Sequence, residues 1–184
     1  MQKIITYIEK FVKLSESAKE ALFQYAEKEC YLKNEFILES GQRSNKIWFI
    51  NSGMVRKYHY HNGKETTTWI HCENEIFTSL QSYAEQIPAD EYIQASEDVE
   101  LISISRQNSE KLNQYEQIVT FTNILMSQQF ANIDKNTRIF NQLDAKGRYE
   151  YLSQLAPEVV KRAKLGHIAS ILGITQETLS RIRK

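Results

Sequence analysis

Five polar residues near the C-terminus, Gln176, Glu177, Ser180, Arg181 and Lys184, recur at the spacing of one helix face. An amide, a carboxylate, a hydroxyl and two cations on one face form a set of hydrogen-bonding forks suited to base edges in a major groove. The elements that must carry them are legible in the same stretch. Ile168 and Leu172 lie four apart, and Gly173 then interrupts the run with the backbone freedom a sharp turn needs. Thr175 is placed to cap a second helix, in which Leu179 and Ile182 repeat the apolar spacing. Ala169, Gly173, Leu179 and Ile182 are therefore expected to face inward. Leu165–Lys184 reads as two short helices joined by a tight turn, a helix-turn-helix. Spacing alone fits an ordinary helical hairpin with a solvated charged face just as well.

A second constellation has metal-ligand chemistry. Gly53, His59, His61 and Glu65 follow the order Gly-x5-His-x-His-x3-Glu of the first motif of metal-dependent cupins, which they resemble. Histidines two apart share one face of a strand, and Glu65 would approach from the next strand to complete a site. The glycine that closes this motif is replaced by Cys72, and no second motif with a third histidine follows. The competing reading puts His59 and His61 on the solvent face of a hairpin that turns at Asn62-Gly63. An enzyme or metal sensor is thus the alternative function.

The string ILGITQETLSRIRK resembles the DNA-recognition segment of the Crp/Fnr family of bacterial transcription regulators, in which Gly-x-(Ser/Thr)-x-Glu-Thr-x-(Ser/Gly)-Arg recurs. The resemblance implies that Gln176, Glu177 and Arg181 touch bases, with Thr175, Ser180 and Lys184 beside them. The chemistry fits: arginine is bidentate on guanine, glutamate accepts from cytosine N4 and glutamine suits adenine. Family members commonly carry arginine where Gln176 stands, so the operator half-site should differ from theirs.

Charge supports a local, not a global, nucleic-acid surface. The 184 residues have zero formal net charge. Residues 138–184, however, hold nine Lys/Arg against four Asp/Glu, net +5, and residues 1–137 hold fourteen against nineteen, net −5. Lys161, Arg162 and Lys164 stand just before the helix-turn-helix, where they are expected to contact the phosphate backbone. Cys30 and Cys72 lack partners at ligand spacing. With no apolar run of eighteen residues and no signal-peptide layout in Met1–Val12, the expected location is the cytoplasm.

The body of the chain changes period twice. Residues 1–30 read as helical, with a capping box at Ser17–Glu20. Phe36–Leu38, Ile47–Ile50, Val55–His61, Thr66–Ile70 and Leu101–Ile104 read as short strands separated by Ser40-Gly41, Asn51-Ser52-Gly53 and Asn62-Gly63 turns. Such spacing predicts a jelly-roll-like β-barrel, and its order also resembles the Crp/Fnr sensor domain. Residues 106–140 read as one helical stretch with an apolar stripe of Ile118, Phe121, Leu125, Met126, Phe130 and Ile133. Its two candidate uses are packing on the chain's own barrel and, by the resemblance, pairing with a second copy. Phe140–Asp144 is the expected hinge, and Asp144-Ala145-Lys146-Gly147-Arg148 resembles the family's Asp-x-x-Gly-Arg junction. Asp144 should cap a helix with Tyr149, Leu152 and Leu155 inside, ended by Pro157.

Laying the family's cyclic-nucleotide cassette on Asn74–Ala95 places Thr78-Ser79 at its Gly-Glu pair and Ala89-Asp90 at its Arg-Ser pair. Similarly, Ile133-Asp134 falls where cyclic-AMP-dependent members have Thr-Ser. The cation for the phosphate is missing and an acid stands beside its place, so cyclic AMP is not expected to bind in the family's manner. The fold class that follows is α+β. Residues 1–110 form a β-roll sensor, 111–140 a long dimerisation helix and 141–184 a helix-turn-helix (winged-helix-like) DNA-binding domain. The expected partners are a double-stranded palindromic DNA operator, a second copy of the chain, an unidentified small-molecule effector and RNA polymerase. No cofactor, metal or membrane is expected.

Overall fold

The computed structural model describes residues 1–183, so Lys184 lies outside the described residues. Two helices open the chain. Helix α1 (Gln2–Ile8) buries Ile4, Ile5 and Ile8, and α2 (Glu16–Tyr25) buries Ala18, Ala21 and Leu22. The cap of α2 is Ser15, whose hydroxyl accepts from the Ala18 amide at 3.2 Å, not the expected Ser17. The helical expectation also fails beyond Tyr25, because Ala26–Tyr31 is a strand, β1. Its Glu29 carboxylate collects Lys46, Ser103, Trp48 and Tyr31 as donors. That tertiary network outweighs the helix preference of Ala-Glu-Lys-Glu.

The remaining strands are β2 (Phe36–Leu38), β3 (Lys46–Ser52), β4 (Val55–His61), β5 (Lys64–His71), β6 (Ile76–Phe77), β7 (Tyr92–Ala95) and β8 (Val99–Ser105), with α3 (Leu80–Glu85) before β7. They form two antiparallel four-stranded sheets, ordered β1-β8-β3-β6 and β2-β7-β4-β5. Period-two alternation sorts β3 between two cores. Trp48 and Ile50 enter the roll with Val55, Ile93 and Leu101, whereas Phe49 points outward onto Ile4, Ile5, Leu22 and Phe121. Gly53 turns β3 into β4 at φ +91°, where a Cβ would stand 2.5 Å from the Asp98 carbonyl oxygen. Only glycine fits there.

The expected single helical stretch is two helices, α4 (Arg106–Leu112) and α5 (Glu116–Gln142). At 27 residues α5 is about 40 Å long. Ile118, Phe121 and Leu125 bury against the chain's own outer core, while Met126, Phe130 and Ile133 are 41%, 71% and 56% exposed. Four helices follow: α6 (Ala145–Leu155), α7 (Pro157–Arg162), α8 (Leu165–Leu172) and α9 (Gln176–Ile182). Pro157 occupies the start of α7, where its missing amide costs nothing, so it opens a helix as well as following one. Leu152, Ile168, Ala169, Leu172 and Leu179 make the core of this unit. Leu155 is exposed, Gly173 is exposed and Ile182 half-buried, against the inward placement expected for all three.

Candidate nucleic-acid interface

Helices α8 and α9 are joined by a turn whose geometry follows from two residues. Gly173 takes φ +68° after Leu172, so the Gly173 amide reaches the Ser170 carbonyl and the Ile174 amide the Ala169 carbonyl. Thr175 then caps α9 by accepting from the Thr178 amide at 3.2 Å. Leu179 points into the core and Gln176, Glu177, Ser180 and Arg181 are exposed, as is Thr175. Arg181 also donates to the Thr178 hydroxyl at 3.3 Å, which orients its guanidinium along the exposed face. The Glu177 carboxyl is held below its ordinary value, first by its own amide at the helix start and then by the Thr175 hydroxyl. An exposed face of amide, carboxylate, hydroxyl and guanidinium, on a short helix anchored by one leucine, can be inserted into a groove without unfolding anything.

The helical unit is attached to α5 through a hinge narrower than Phe140–Asp144. Helix α5 continues through Gln142, leaving Leu143 and Asp144. Asp144 caps α6 by accepting from the Gly147 amide at 2.8 Å. A Cβ on Gly147 would meet Leu143 and Asp144 atoms at 3.1–3.3 Å, which explains the glycine. Arg148 donates to the carbonyls of Phe140 and Leu143 through Nε and to that of Leu172 through a terminal nitrogen. It therefore satisfies the open carbonyl ends of α5 and α8 together. The junction motif is a staple, a role that its spacing did not disclose.

A second attachment was not foreseen. Arg162, expected on the DNA backbone, is turned toward the roll. It donates to Glu73 at 2.8 and 3.0 Å and to Glu97 at 3.2 Å, with a further contact to Glu97. Paired with this guanidinium, the Glu73 carboxyl falls to about 2, and it also accepts from the Gly53 amide. The Thr67 amide donates to the Ser170 hydroxyl at 2.8 Å, bringing α8 onto β5. Met54, Ile70, Cys72 and Val159 form the apolar floor of the contact, and burial raises the Cys72 thiol to about 12. Lys161 and Lys164 remain exposed.

The cassette residues are dispersed in environment. Ser79 and Ala89 are buried, Thr78 is half-buried and Asp90 is exposed, so the acid does not point into a closed site. Ala89 is used by the backbone, which pairs with Gly41 and Gln42. Thr78 donates to the Lys46 carbonyl and contacts the Ser44 hydroxyl, and Ser82 accepts from the Ser44 amide. A cation that does reach this region, Lys57, donates to the Thr78 carbonyl and is paired with Glu91, both at 3.0 Å.

The cupin reading is overturned by strand register. His59 lies opposite Thr66 and His61 opposite Lys64, whereas Glu65 pairs with Tyr60. Glu65 therefore projects from the other face of the hairpin, where Arg56 donates to it at 2.5 Å. No cluster of three histidine, cysteine or carboxylate residues able to hold a metal occurs among the described residues. Among them, too, no helix is long and apolar enough to cross a membrane.

Residues 28–115 match the family described as the cyclic nucleotide-binding domain. No curated protein matches the sequence. Solved structures extend the likeness to the whole chain. The Thermus thermophilus catabolite activator protein is 19% identical, with 92% of this chain and 82% of that one covered at a TM-score of 0.58. FixK2 from Bradyrhizobium japonicum is 18% identical over 86% and 82%, at 0.68. A CooA mutant from Carboxydothermus hydrogenoformans is 20% identical over 97% and 82%, at 0.68. The β-roll, where that match falls, is thus similar to the cyclic nucleotide-binding domain. Roll, long helix and C-terminal helices together have the fold of the Crp/Fnr transcription regulators.

Proposed function

We propose that this protein is a DNA-binding transcription regulator that reads a palindromic operator as a homodimer and does not respond to cyclic AMP. The observation that carries the reading is the exposed face of α9, where Gln176, Glu177, Ser180 and Arg181 stand clear of a helix packed by Leu179. Gln176, Glu177 and Arg181 are the base contacts, and Thr175 and Ser180 reach the flanking phosphates. The exposed Met126, Phe130 and Ile133 stripe supports a two-fold contact with a second copy, since such a face at i, i+4 and i+7 is otherwise left in water. A two-fold pair of recognition helices about 34 Å apart meets adjacent major grooves. The absence of a cation at Ala89, and the commitment of Lys57 to Glu91, support independence from cyclic AMP.

The testing experiment is selection of bound fragments from random DNA at a stated salt concentration, without nucleotide. Recovery of one inverted repeat, unchanged by added cyclic AMP, is the expected result. A non-palindromic motif, or enrichment only with cyclic AMP, refutes the reading.

A further inference from the structure

Between the roll and the α7–α8 corner lies a cleft of about 260 Å³ that belongs neither to the cassette nor to the recognition face. Its walls come from both units: Lys33, Arg56 and Ser96 from the roll, and Arg162, Lys164 and His167 from the helices. The two carboxylates at its edge are already engaged, Glu65 by Arg56 and Glu97 by Arg162. Lys33 and Lys164 have no carboxylate within ion-pair distance among the described residues. Their charge is left facing the cleft.

Three further observations agree in sign. Helix α8 begins at the cleft with Lys164 as its cap residue, whose side chain cannot accept a hydrogen bond; the His167 amide is met by the Lys164 carbonyl, and the helix start brings its positive dipole end to the cleft edge without a side-chain cap. The His167 ring is pushed down to about 4, first by burial and then by Arg56 and Lys164, with Glu65 opposing. Ser96 Oγ is a buried side-chain oxygen left without a hydrogen-bond partner among the described residues. Two lysines without a carboxylate partner, a helix start without a side-chain cap, a neutral imidazole and an unused hydroxyl border one small space, whose two arginines are matched by Glu65 and by Glu73, Glu97 and Glu158. We propose that the cleft binds a small oxyanion, a carboxylate or phosphate metabolite, which bridges the roll and the DNA-reading helices. The binding claim stands on the cleft itself. Its consequence, that occupancy changes how firmly α7–α8 is held to the roll and hence DNA affinity, rests on the regulator reading.

The test titrates the full chain with sodium phosphate and, separately, sodium malonate, with ionic strength held constant by chloride. The His167 ring resonances are followed by NMR. Saturable shifts with one probe, and a rise in the His167 pKa on binding, are the expected result. Lys33→Ala with Lys164→Ala should weaken that affinity at least tenfold, and Lys164→Arg should largely retain it; all three changes are at exposed positions and should leave the fold intact. The two probes separate phosphate from carboxylate recognition. Linear, non-saturating shifts with both, or saturation unaffected by the double alanine variant, overturn the proposal. DNA selection in chloride buffer is scored independently. Anion binding without DNA binding would leave the cleft standing and remove the regulator reading, and the converse would remove the cleft.

Discussion

Replacing Arg162 by alanine should loosen the helical unit from the roll without unfolding either. The guanidinium holds Glu73 through two hydrogen bonds and Glu97 through two more, at the point where Val159 and Ile70 make the apolar part of the contact. The three side chains are 23%, 30% and 33% exposed. That places the cluster between a surface ion pair, near 1 kcal/mol or less, and a buried pair broken on one side, at 3–5, so about 2 kcal/mol is expected. The assay is hydrogen exchange at the Thr67 amide, which donates across the contact to Ser170. Two kcal/mol corresponds to roughly 30-fold faster exchange there if undocking controls it. Acid provides a second arm. The Glu73 carboxyl is lowered from 4.5 to about 2, so its contribution is complete above 4.5 and is lost as pH falls toward 2. Wild-type docking should weaken over that window and the alanine variant should show much less of the change. Unchanged exchange at Thr67 in Arg162→Ala would refute the claim that this cluster holds the two units together.

Three other outcomes are expected. Arg181→Ala should leave the fold intact and relax selectivity at one base pair of each half-site by about 1–3 kcal/mol, read by comparing bound-sequence profiles. Phe130→Glu introduces a charge in the middle of the exposed α5 stripe, and sedimentation should show a folded monomer where the wild type gives a dimer. Ala89→Arg should not create cyclic-AMP binding by calorimetry, because Ala89 is buried beside backbone from Gly41 and Gln42; overpacking should instead cost about 1–3 kcal/mol of stability.

What the sequence disclosed was local. Thr175, Gly173, Leu179 and the exposed residues of α9 obey capping, turn and periodicity rules that act within a few residues, and the structure places them as those rules require. The strands around Asn51-Ser52-Gly53 and Asn62-Gly63 were legible for the same reason. The first strand was hidden because Ala26–Tyr31 has helical local preference and becomes a strand only when Glu29 meets Lys46, Trp48 and Ser103 from distant positions. Its sequence, Ala-Glu-Lys-Glu-Cys-Tyr, is also too polar to announce a strand. Arg162 misled for a related reason: a basic residue beside a helix-turn-helix suggests phosphate, and nothing near it in sequence reveals Glu73 and Glu97. The cupin spacing failed because a count along the chain does not carry the pairing register that sends Glu65 to the opposite face from His59 and His61.

Two arginines divide the task of positioning α9, the helix proposed to read DNA. Arg148 fixes where the helical unit leaves α5 by tying the last carbonyls of that helix to the end of α8. Arg162 fixes which side of the unit meets the roll, and Ser170 on α8 adds a direct bond to β5. A hinge reduced to Leu143 and Asp144 and held at both flanks is not a free joint. In the proposed regulator, a reorientation of α9 would have to break one attachment while the other serves as pivot, and the Arg162 side is the more separable because its partners lie across a polar cleft. Arg148 bonds instead within the same unit and its parent helix. The exposed α5 stripe ends at Ile133, nearly three turns before Leu143, so in the proposed dimer the two-fold axis and the pivot would share one helix. Under the proposed dimeric, DNA-reading function, half-site spacing in a selected operator reports whether Arg162 is engaged when DNA is bound.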